Sequence, residues 1–269
     1  MDLKNLMLLA VQSSLRAGDV VLGLHGQIEF VLKDDSSPLT EADLQSHRIL
    51  CEELTGILRV PVVSEEAELE YKVRKDLEYY WLIDPLDGSK DFLAQNGQWC
   101  INIALMEQRH HITQPILGVI YAPMLEKLYC AAKGCGVYTL CDFQNKTLQS
   151  LKTSQIPSYI ALTSNFHNTQ ESRDFIHRYY LDSKPLGASL KFCMLASGHA
   201  YIYPRFTGSK EWDSAAGDII LFESGGVVLD YVSKCRLAYN KESLKNNYFV
   251  AFSKAAVNGM IYKEFLVNG

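Results

Sequence analysis

Acidic residues that could bind a metal ion occur in three places along the chain. They are Glu65 with Glu66, Asp84 with Asp87, and Asp213. Each group follows a predicted strand or opens a predicted helix, and open α/β sheets place ligands at the carboxyl ends of their strands. Carboxylates that meet there repel one another unless a cation lies among them, and hard Mg²⁺ prefers such oxygen ligands. The spacing therefore predicts a divalent metal site.

The second acidic group lies in the segment Asp84-Pro85-Leu86-Asp87-Gly88-Ser89. Pro85 fixes its φ angle and Gly88 permits a tight turn, so the two carboxylates can converge on one point. A Gly-Ser turn that opens a helix also presents backbone N–H groups to a phosphate. Asp-Pro and Asp-Gly are common in ordinary turns, and Asp213 is also a good helix N-cap. Each group alone has this structural explanation, but their joint occurrence favours a metal and phosphate site.

The elements that must position these residues alternate between helices and strands, which is typical of a layered α/β architecture. Apolar spacing predicts helices over 3–22 and 44–58, the second with Thr40 as its N-cap and Asp43 three residues later. Strands are predicted over 60–63, 79–83 (ending at Asp84), 100–106, 117–121, 127–131, 159–163, 200–203, 227–230 and 248–252. Further helices are predicted over 171–180, 190–197, 213–224 and 255–267. The polar segment 33–38 is a predicted loop, and the charged segment 66–78 is a predicted surface loop.

The pattern divides the chain into two halves that we expect to form one active unit. The N-terminal half, residues 1–155, carries most of the metal-site motifs, and the C-terminal half, residues 156–269, completes the site. The boundary is placed around Ser154-Gln155-Ile156-Pro157 because the helix and strand signals alternate after it.

Composition limits the classes of partner. The 269 residues carry 26 basic and 31 acidic side chains, so the net charge is 26 − 31 = −5, which disfavours binding to a nucleic acid polymer. Seven scattered cysteines without zinc spacing indicate reduced thiols, and we expect a cytoplasmic protein without a signal peptide. All seven histidines are interpreted as structural or surface residues. Oligomeric state and peripheral association with the cytoplasmic face of the inner membrane are left open.

Four segments resemble the signatures of the inositol monophosphatase-like, lithium-sensitive metal phosphatases. Residues 84–89 resemble D-P-x-D-G-[TS], and residues 212–217 resemble W-D-x-A-A-G. Residues 64–66 and 40–43 resemble the two other metal-site segments, and the four matches occur in order over nearly the whole chain. The resemblance implies an α-β-α-β-α sandwich of the inositol monophosphatase type.

Other segments resemble one branch of that superfamily, the 3′(2′),5′-bisphosphate nucleotidases of the bacterial CysQ type. Residues 88–92 resemble G-T-K-E-F, while residues 189–193 and 203–206 match S-L-K-F-C and Y-P-R-F. The branch implies hydrolysis of the 3′-phosphate of adenosine 3′,5′-bisphosphate, a by-product of sulfate assimilation, to AMP and phosphate. The alternative is a phosphatase that acts on inositol monophosphate or fructose 1,6-bisphosphate. A non-catalytic nucleotide-binding regulator is a third hypothesis, which the presence of every expected carboxylate disfavours.

The resemblance also implies a role for particular residues. Two or more Mg²⁺ ions would be held by Glu65, Asp84, the Leu86 carbonyl, Asp87 and Asp213, with Asp84 bridging. The implied catalytic residues are Asp43, Ser89 and Glu65, of which Ser89 and Asp43 would orient and deprotonate the attacking water. The implied substrate-binding residues are Glu65, Asp87, Gly88, Ser89, Lys90, Lys191, Arg205 and Asp213.

Lys191 and Arg205 are assigned to the 5′-phosphate because it needs fixed positive charge, and Lys90 is a further candidate. From the residues alone, Lys191 and Arg205 are equally well explained as charges on a solvated helix face and at a strand end. The chain departs from the branch at two positions. Ser89 stands in place of the usual Thr, and Ala188 stands in place of a Ser. The first change keeps the hydroxyl, whereas the second removes a possible phosphate donor.

Overall fold

The computed structural model describes residues 1–26, 29–33, 38–154 and 159–267. The helices are α1 Leu3–Leu24, α2 Glu41–Ile57, α3 Tyr71–Arg74, α4 Ser89–Leu93, α5 Gln170–Arg178, α6 Leu190–Ala196, α7 Ala215–Glu223 and α8 Met260–Val267. Short 3₁₀ turns occur at Pro123–Leu125 and Glu211–Asp213. The N-terminal strands are β1 Phe30–Leu32, β2 Pro38–Thr40, β3 Val62–Ser64, β4 Tyr79–Asp87, β5 Cys100–Arg109, β6 Ile112–Ala122, β7 Lys127–Ala132, β8 Gly136–Asp142 and β9 Thr147–Ser150. The C-terminal strands are β10 Ile160–Thr163, β11 Asp182–Pro185, β12 Ile202–Arg205, β13 Val227–Asp230 and β14 Phe249–Phe252.

Two sheets and three helical layers form the predicted α-β-α-β-α sandwich, so that prediction is confirmed. The seven-stranded sheet has the order β3-β4-β5-β6-β7-β8-β9, and the five-stranded sheet has the order β11-β10-β12-β14-β13. Helices α1 and α2 cover one face of the larger sheet, and α6 and α7 pack between the two sheets. Helices α5 and α8 cover the outer face of the smaller sheet. The layers form because central strands such as β4 and β5 are apolar on both faces and need cover on each.

Helix α1 lies against the large sheet with one face buried. Gly18 faces the ring of Tyr121, and a Cβ at residue 18 would lie 2.3 Å from a ring carbon, so only glycine permits this approach. By length and composition α1 is the one helix among the described residues that is apolar enough to cross a membrane. Part of its apolar surface, including Met7, Ala10 and Leu15, is buried in the core, whereas Leu8 is exposed.

The strand pairing brings the acidic segments to one edge. Strand β3 runs parallel to β4, with Ser64 paired to Ile83, so Glu65 and Asp84 leave the sheet side by side. The pairing of β4 with the antiparallel β5 is interrupted between Asp84 and Asp87. This irregularity breaks the side-chain alternation of the strand and lets both carboxylates face the same space.

Several element predictions were wrong in detail. Strand β4 does not end at Asp84 but continues to Asp87, because its pairing with β5 resumes after the irregularity. The predicted surface loop 66–78 contains α3, and Arg74 is buried because its guanidinium donates to backbone carbonyls and to Asn240. The last helix begins at Met260 rather than residue 255. Strands β8, β9 and β11 were not predicted. The proposed boundary at 155–157 and loop residues 34–37 lie outside the described residues.

Candidate active site

Helix α2 begins with a capping box that also shapes the site. Thr40 accepts a hydrogen bond from the Asp43 amide, while Asp43 Oδ2 accepts from the Thr40 amide at 2.7 Å and from its hydroxyl at 2.5 Å. The other oxygen, Asp43 Oδ1, lies 3.4 Å from the Ser89 hydroxyl. Burial raises the pKa of Asp43 to about 6, although the Thr40 hydrogen bonds work against this. The structure therefore brings Asp43 and Ser89 together as the sequence predicted.

Three of the predicted metal ligands meet in one cluster. Carboxylate oxygens of Glu65, Asp84 and Asp213 all lie within 4.8 Å of one another. Burial, followed by the negative charge of the neighbouring carboxylates, raises the pKa of Asp84 well above its usual value and the pKa of Asp213 to about 8. Burial also raises the pKa of Glu65. An all-oxygen set held at this separation, and electrostatically unfavourable without a cation, fits a hard divalent metal ion.

Asp213 reaches this cluster from the C-terminal part of the chain through the 3₁₀ turn Glu211–Asp213. The fully buried Glu211 anchors the turn by accepting hydrogen bonds from the Asn240 amide at 2.7 Å and the Lys241 ammonium at 2.6 Å. Asp213 Oδ2 accepts from the Lys210 amide at 2.8 Å. The turn thus fixes one oxygen of Asp213 and leaves the other for the cluster.

Asp87 lies in the same pocket but outside the 4.8 Å trio. Its Oδ2 accepts from the Ser189 amide at 2.7 Å, from the Ser189 hydroxyl and from Asn102 Nδ2 at 3.0 Å. Ser189 Oγ also lies 2.8 Å from the Asp213 carbonyl oxygen. Sequence reasoning missed this positioning by Asn102 and Ser189, because nothing local pairs residue 102 with residue 189.

The turn after Asp87 places backbone and hydroxyl groups at the pocket floor. Gly88 has a φ angle of 92°, in the left-handed region that favours glycine, and it precedes the short helix α4. The Ser89 hydroxyl lies 3.3 Å from the Leu86 carbonyl oxygen, and Lys90 is exposed at the pocket wall. Ala188 also has a positive φ, 49°, and its methyl group faces Gly88.

The pocket has a volume of about 770 Å³, and its lining includes the basic residues Lys191 and Arg205 as well as the carboxylates. Lys191 is 4% exposed, and its ammonium donates to the carbonyls of Leu186 and Ala188, so the solvated-surface explanation for it was wrong. Burial and then the charge of Arg205 lower the pKa of Lys191 to about 8. Arg205 is half-buried, and its buried Nε atom has no hydrogen-bond partner within the part of the chain that the structure describes.

Two pocket residues were not predicted. His167 is an exposed residue at the pocket wall, which is compatible with the interpretation of the histidines as structural or surface residues. Burial and the positive charges of Arg205 and Lys90 lower its pKa to about 4. Lys33 lies 2.7 Å from both Glu65 Oε1 and Glu66 Oε1, and although burial works against it, these carboxylates raise the pKa of Lys33. Its position in a polar segment gave no sign of this contact.

Comparison with known proteins agrees with this geometry. The sequence model of the inositol monophosphatase family matches residues 2–264. The chain is 35% identical over 243 residues to the 3′(2′),5′-bisphosphate nucleotidase CysQ of Salmonella typhimurium, covering 88% of this chain and 96% of that protein. It superposes on the crystal structure of CysQ from Bacteroides thetaiotaomicron with a TM-score of 0.79 and 32% identity, covering 94% of this chain and 98% of that one. The IMPase of Thermotoga maritima shares the fold, with a TM-score of 0.75, 22% identity, and coverage of 96% and 95%.

Proposed function

The chain belongs to the inositol monophosphatase family, and we propose that it is a Mg²⁺-dependent 3′(2′),5′-bisphosphate nucleotidase. It hydrolyses the 3′-phosphate of adenosine 3′,5′-bisphosphate to give AMP and phosphate. The observation that carries this proposal is that one pocket is lined both by the acidic cluster of Glu65, Asp84 and Asp213 and by the cations Lys191 and Arg205. A substrate with two separated phosphates needs both features, whereas a monophosphate needs only the first.

Two or more Mg²⁺ ions are proposed at the acidic cluster. Glu65, Asp84 and the Leu86 carbonyl would hold one, and Asp84, Asp87 and Asp213 would hold another. When bound, such ions would lower the pKa of a water molecule and stabilise the charge on the leaving ribose oxygen. The support for these positions is the chemistry of the donors, since hard oxygen ligands suit Mg²⁺.

The chain's own groups orient the water and receive its proton. The Ser89 hydroxyl lies between Asp43 Oδ1 and the Leu86 carbonyl, so it can hold a water and pass the proton to Asp43. The water oxygen attacks phosphorus in line as the bond to the ribose oxygen breaks, and the ribose oxygen then takes up a proton. Glu65 would assist as a ligand of the ion that binds this water. The Gly88 and Ser89 amides bind oxygens of the phosphate that is cleaved.

The second phosphate of the substrate binds at the basic side of the pocket. Arg205 offers a planar fork of donors to a phosphate: one terminal nitrogen donates to the Gly208 carbonyl, whereas its Nε has no hydrogen-bond partner among the described residues. Lys191 adds a buried positive charge, and His167 adds a third group, whose pKa is lowered by burial and then by the positive charges of Arg205 and Lys90. Lys90, exposed at the pocket wall, is a further candidate for binding this second phosphate, since it acts on His167 together with Arg205 and Lys191.

A phosphate-release assay separates this proposal from its alternative. Purified protein is given adenosine 3′,5′-bisphosphate, inositol 1-phosphate or fructose 1,6-bisphosphate, each with Mg²⁺ and with a chelator. We expect Mg²⁺-dependent turnover with a clear preference for the nucleotide. A preference for the inositol or fructose ester would overturn the substrate assignment. Tight nucleotide binding without any turnover would instead indicate a regulator.

We further propose that the two halves, 1–155 and 156–269, act as one unit. The contacts of Asp87 in the first half with Ser189 in the second half support this part of the proposal. Limited proteolysis between the halves, followed by the same phosphate-release assay, tests it. Activity in either separated half would contradict it. We also propose that the protein acts in the cytoplasm and that its partner is a small nucleotide.

A further inference from the structure

A buried carboxylate next to the active site has no part in the roles assigned above. Asp91 lies in α4, two residues after Ser89, and is 4% exposed. Its Oδ1 accepts hydrogen bonds from Asn165 Nδ2 at 2.7 Å and from Asn96 Nδ2 at 2.6 Å. A buried carboxylate is costly unless such donors satisfy it, so the position of Asp91 depends on these partners.

The same amide of Asn165 makes a second contact. Asn165 Nδ2 lies 2.9 Å from Gln98 Oε1, and that oxygen also accepts from the Gly187 amide at 2.9 Å. The two hydrogens of one amide group therefore satisfy Asp91 and Gln98 together. We refer to Asp91, Asn165, Gln98 and the Gly187 amide as the Asp91 network.

Close packing around Gly187 holds its backbone at a short distance from Gln98 and Asp91. A Cβ at residue 187 would lie 2.3 Å from the Gln98 carbonyl oxygen and 2.8 Å from the Asp91 carboxyl carbon. The backbone at residue 187 thus lies directly against the segment that follows α4. Three segments distant in sequence are held at fixed separations by these contacts.

Each of the three segments carries a pocket residue. Helix α4 carries Ser89, the loop after β10 carries His167, and the segment after β11 carries Lys191. Asn165 is two residues from His167, and Gly187 is four residues from Lys191. The network therefore connects the part of the pocket where phosphate is cleaved with the part where positive charge is concentrated.

We propose that Asp91, Asn165 and Gln98 are positioning residues that set the distance between the cleavage site and the site for the second phosphate. The network acts as a fixed spacer for a substrate whose two phosphates must be bound at once. This inference rests on the proposed nucleotidase function, because a substrate with a single phosphate has no need of the spacing.

The variant Asn165→Leu tests the spacer. Leu has a branched shape close to that of Asn but donates no hydrogen bond, so Asp91 and Gln98 are each deprived of a partner. We expect KM for adenosine 3′,5′-bisphosphate to rise by about tenfold, the usual effect of losing a hydrogen bond to a charged group, with kcat changed less than about threefold. KM for adenosine 3′-monophosphate, which lacks the second phosphate, should stay within about twofold of the wild-type value. Gln98→Leu should produce the same split between substrates.

The control variant is Asn247→Leu. Asn247 Nδ2 donates to the buried Asp230 at 2.6 Å, so this variant also removes an amide hydrogen bond to a buried carboxylate, but at a point outside the pocket lining. We expect no split between the two substrates for this variant. Calorimetry with AMP, which keeps the 5′-phosphate, gives a readout without turnover, and Asn165→Leu should weaken AMP binding by about tenfold.

The outcomes separate the two proposals. If the wild type fails to cleave the bisphosphate, the proposed function fails and this inference falls with it. If the wild type cleaves it but Asn165→Leu loses activity equally on both substrates, or binds AMP as tightly as the wild type, the spacer is overturned and the proposed function stands. Melting temperatures of the variants identify any loss that is due to unfolding.

Discussion

Neutralising one member of the acidic cluster should stabilise the protein in the absence of metal. Burial and the charges of Asp87 and Glu65 raise the pKa of Asp213 to about 8, against an ordinary value near 4. The substitution Asp213→Asn removes the charge with little change in volume. Its side-chain oxygen can still accept the hydrogen bond that the Lys210 amide gives Asp213. The variant therefore isolates electrostatic repulsion from packing.

The direction in which stability changes with pH follows from proton linkage. A carboxyl whose pKa is higher in the folded state than in the unfolded state binds its proton more tightly when folded. Stability is then greatest at low pH and is lost as the pH rises from about 4 toward about 8. Metal-free wild type should therefore melt at progressively lower temperature over this window, and added Mg²⁺ should reverse the loss.

The magnitude follows from the size of the pKa difference. One pKa unit corresponds to about 1.4 kcal/mol. A shift of the Asp213 pKa from near 4 to about 8 therefore limits the loss of folding stability to roughly 5 kcal/mol at about pH 7.5. Glu65 and Asp84 can relieve the same repulsion by taking up protons themselves, so we expect Asp213→Asn to recover about 2 kcal/mol of it. For a chain of this size that raises Tm by about 4–8 °C.

The assay is thermal unfolding followed by circular dichroism, with chelator and with Mg²⁺. Asp230→Asn is the matched control because, although burial works against it, hydrogen bonds from Ser233 and Asn247 lower the pKa of Asp230. That variant should lose stability. A lower Tm for metal-free Asp213→Asn at about pH 7.5, or a Mg²⁺-induced rise as large as that of the wild type, would refute the reasoning.

Three further changes probe the catalytic and binding roles. Ser89→Ala should reduce kcat about 10²-fold because the water loses its hydroxyl contact, whereas Ser89→Thr should retain activity; equal activity of the two variants in the phosphate-release assay would exclude the role. Arg205→Ala should raise KM for the bisphosphate about 30-fold or more and leave KM for adenosine 3′-monophosphate nearly unchanged, and equal losses on both substrates would argue against a 5′-phosphate contact. Ala188→Ser adds a donor beside Gly88 and should lower KM for the bisphosphate by about threefold in steady-state kinetics; an unchanged KM would mean that this donor is not used.

Local patterns explain which parts of the site could be predicted from the sequence. Thr40 and Asp43 form a capping box that depends only on their three-residue spacing, and Asp84 lies beside Glu65 because the preceding residues, Ile83 and Ser64, are paired in adjacent parallel strands. Asn102 and His167 could not be found in this way. Each of them interacts with a residue from a distant segment. Asn102 contacts Ser189, and the charge of Arg205 acts on the pKa of His167.

The fold, like the site, contains some elements that local sequence patterns predicted and others that they missed. Long apolar strands such as β5 were predicted because their composition alone demands burial. Strands β9 and β11 were missed because nearly all their residues are exposed at sheet edges, so the pattern that marks a half-buried strand is absent. Arg74 was assigned to the surface by its charge, since burial of an arginine depends on carbonyl partners contributed by residues 241 and 242.

The hydroxyl of Ser189, between the Asp87 carboxylate and the Asp213 carbonyl, joins the end of β4 in the large sheet to the start of α6 in the helical layer between the sheets. Moving the large sheet away from that layer would break this contact and leave the Asp87 carboxylate without its partner, so hinge opening is a costly way to exchange ligands. We therefore expect AMP and phosphate to leave through the pocket mouth while the two sheets stay together. Turnover should then be insensitive to a covalent crosslink between the sheets placed away from that mouth.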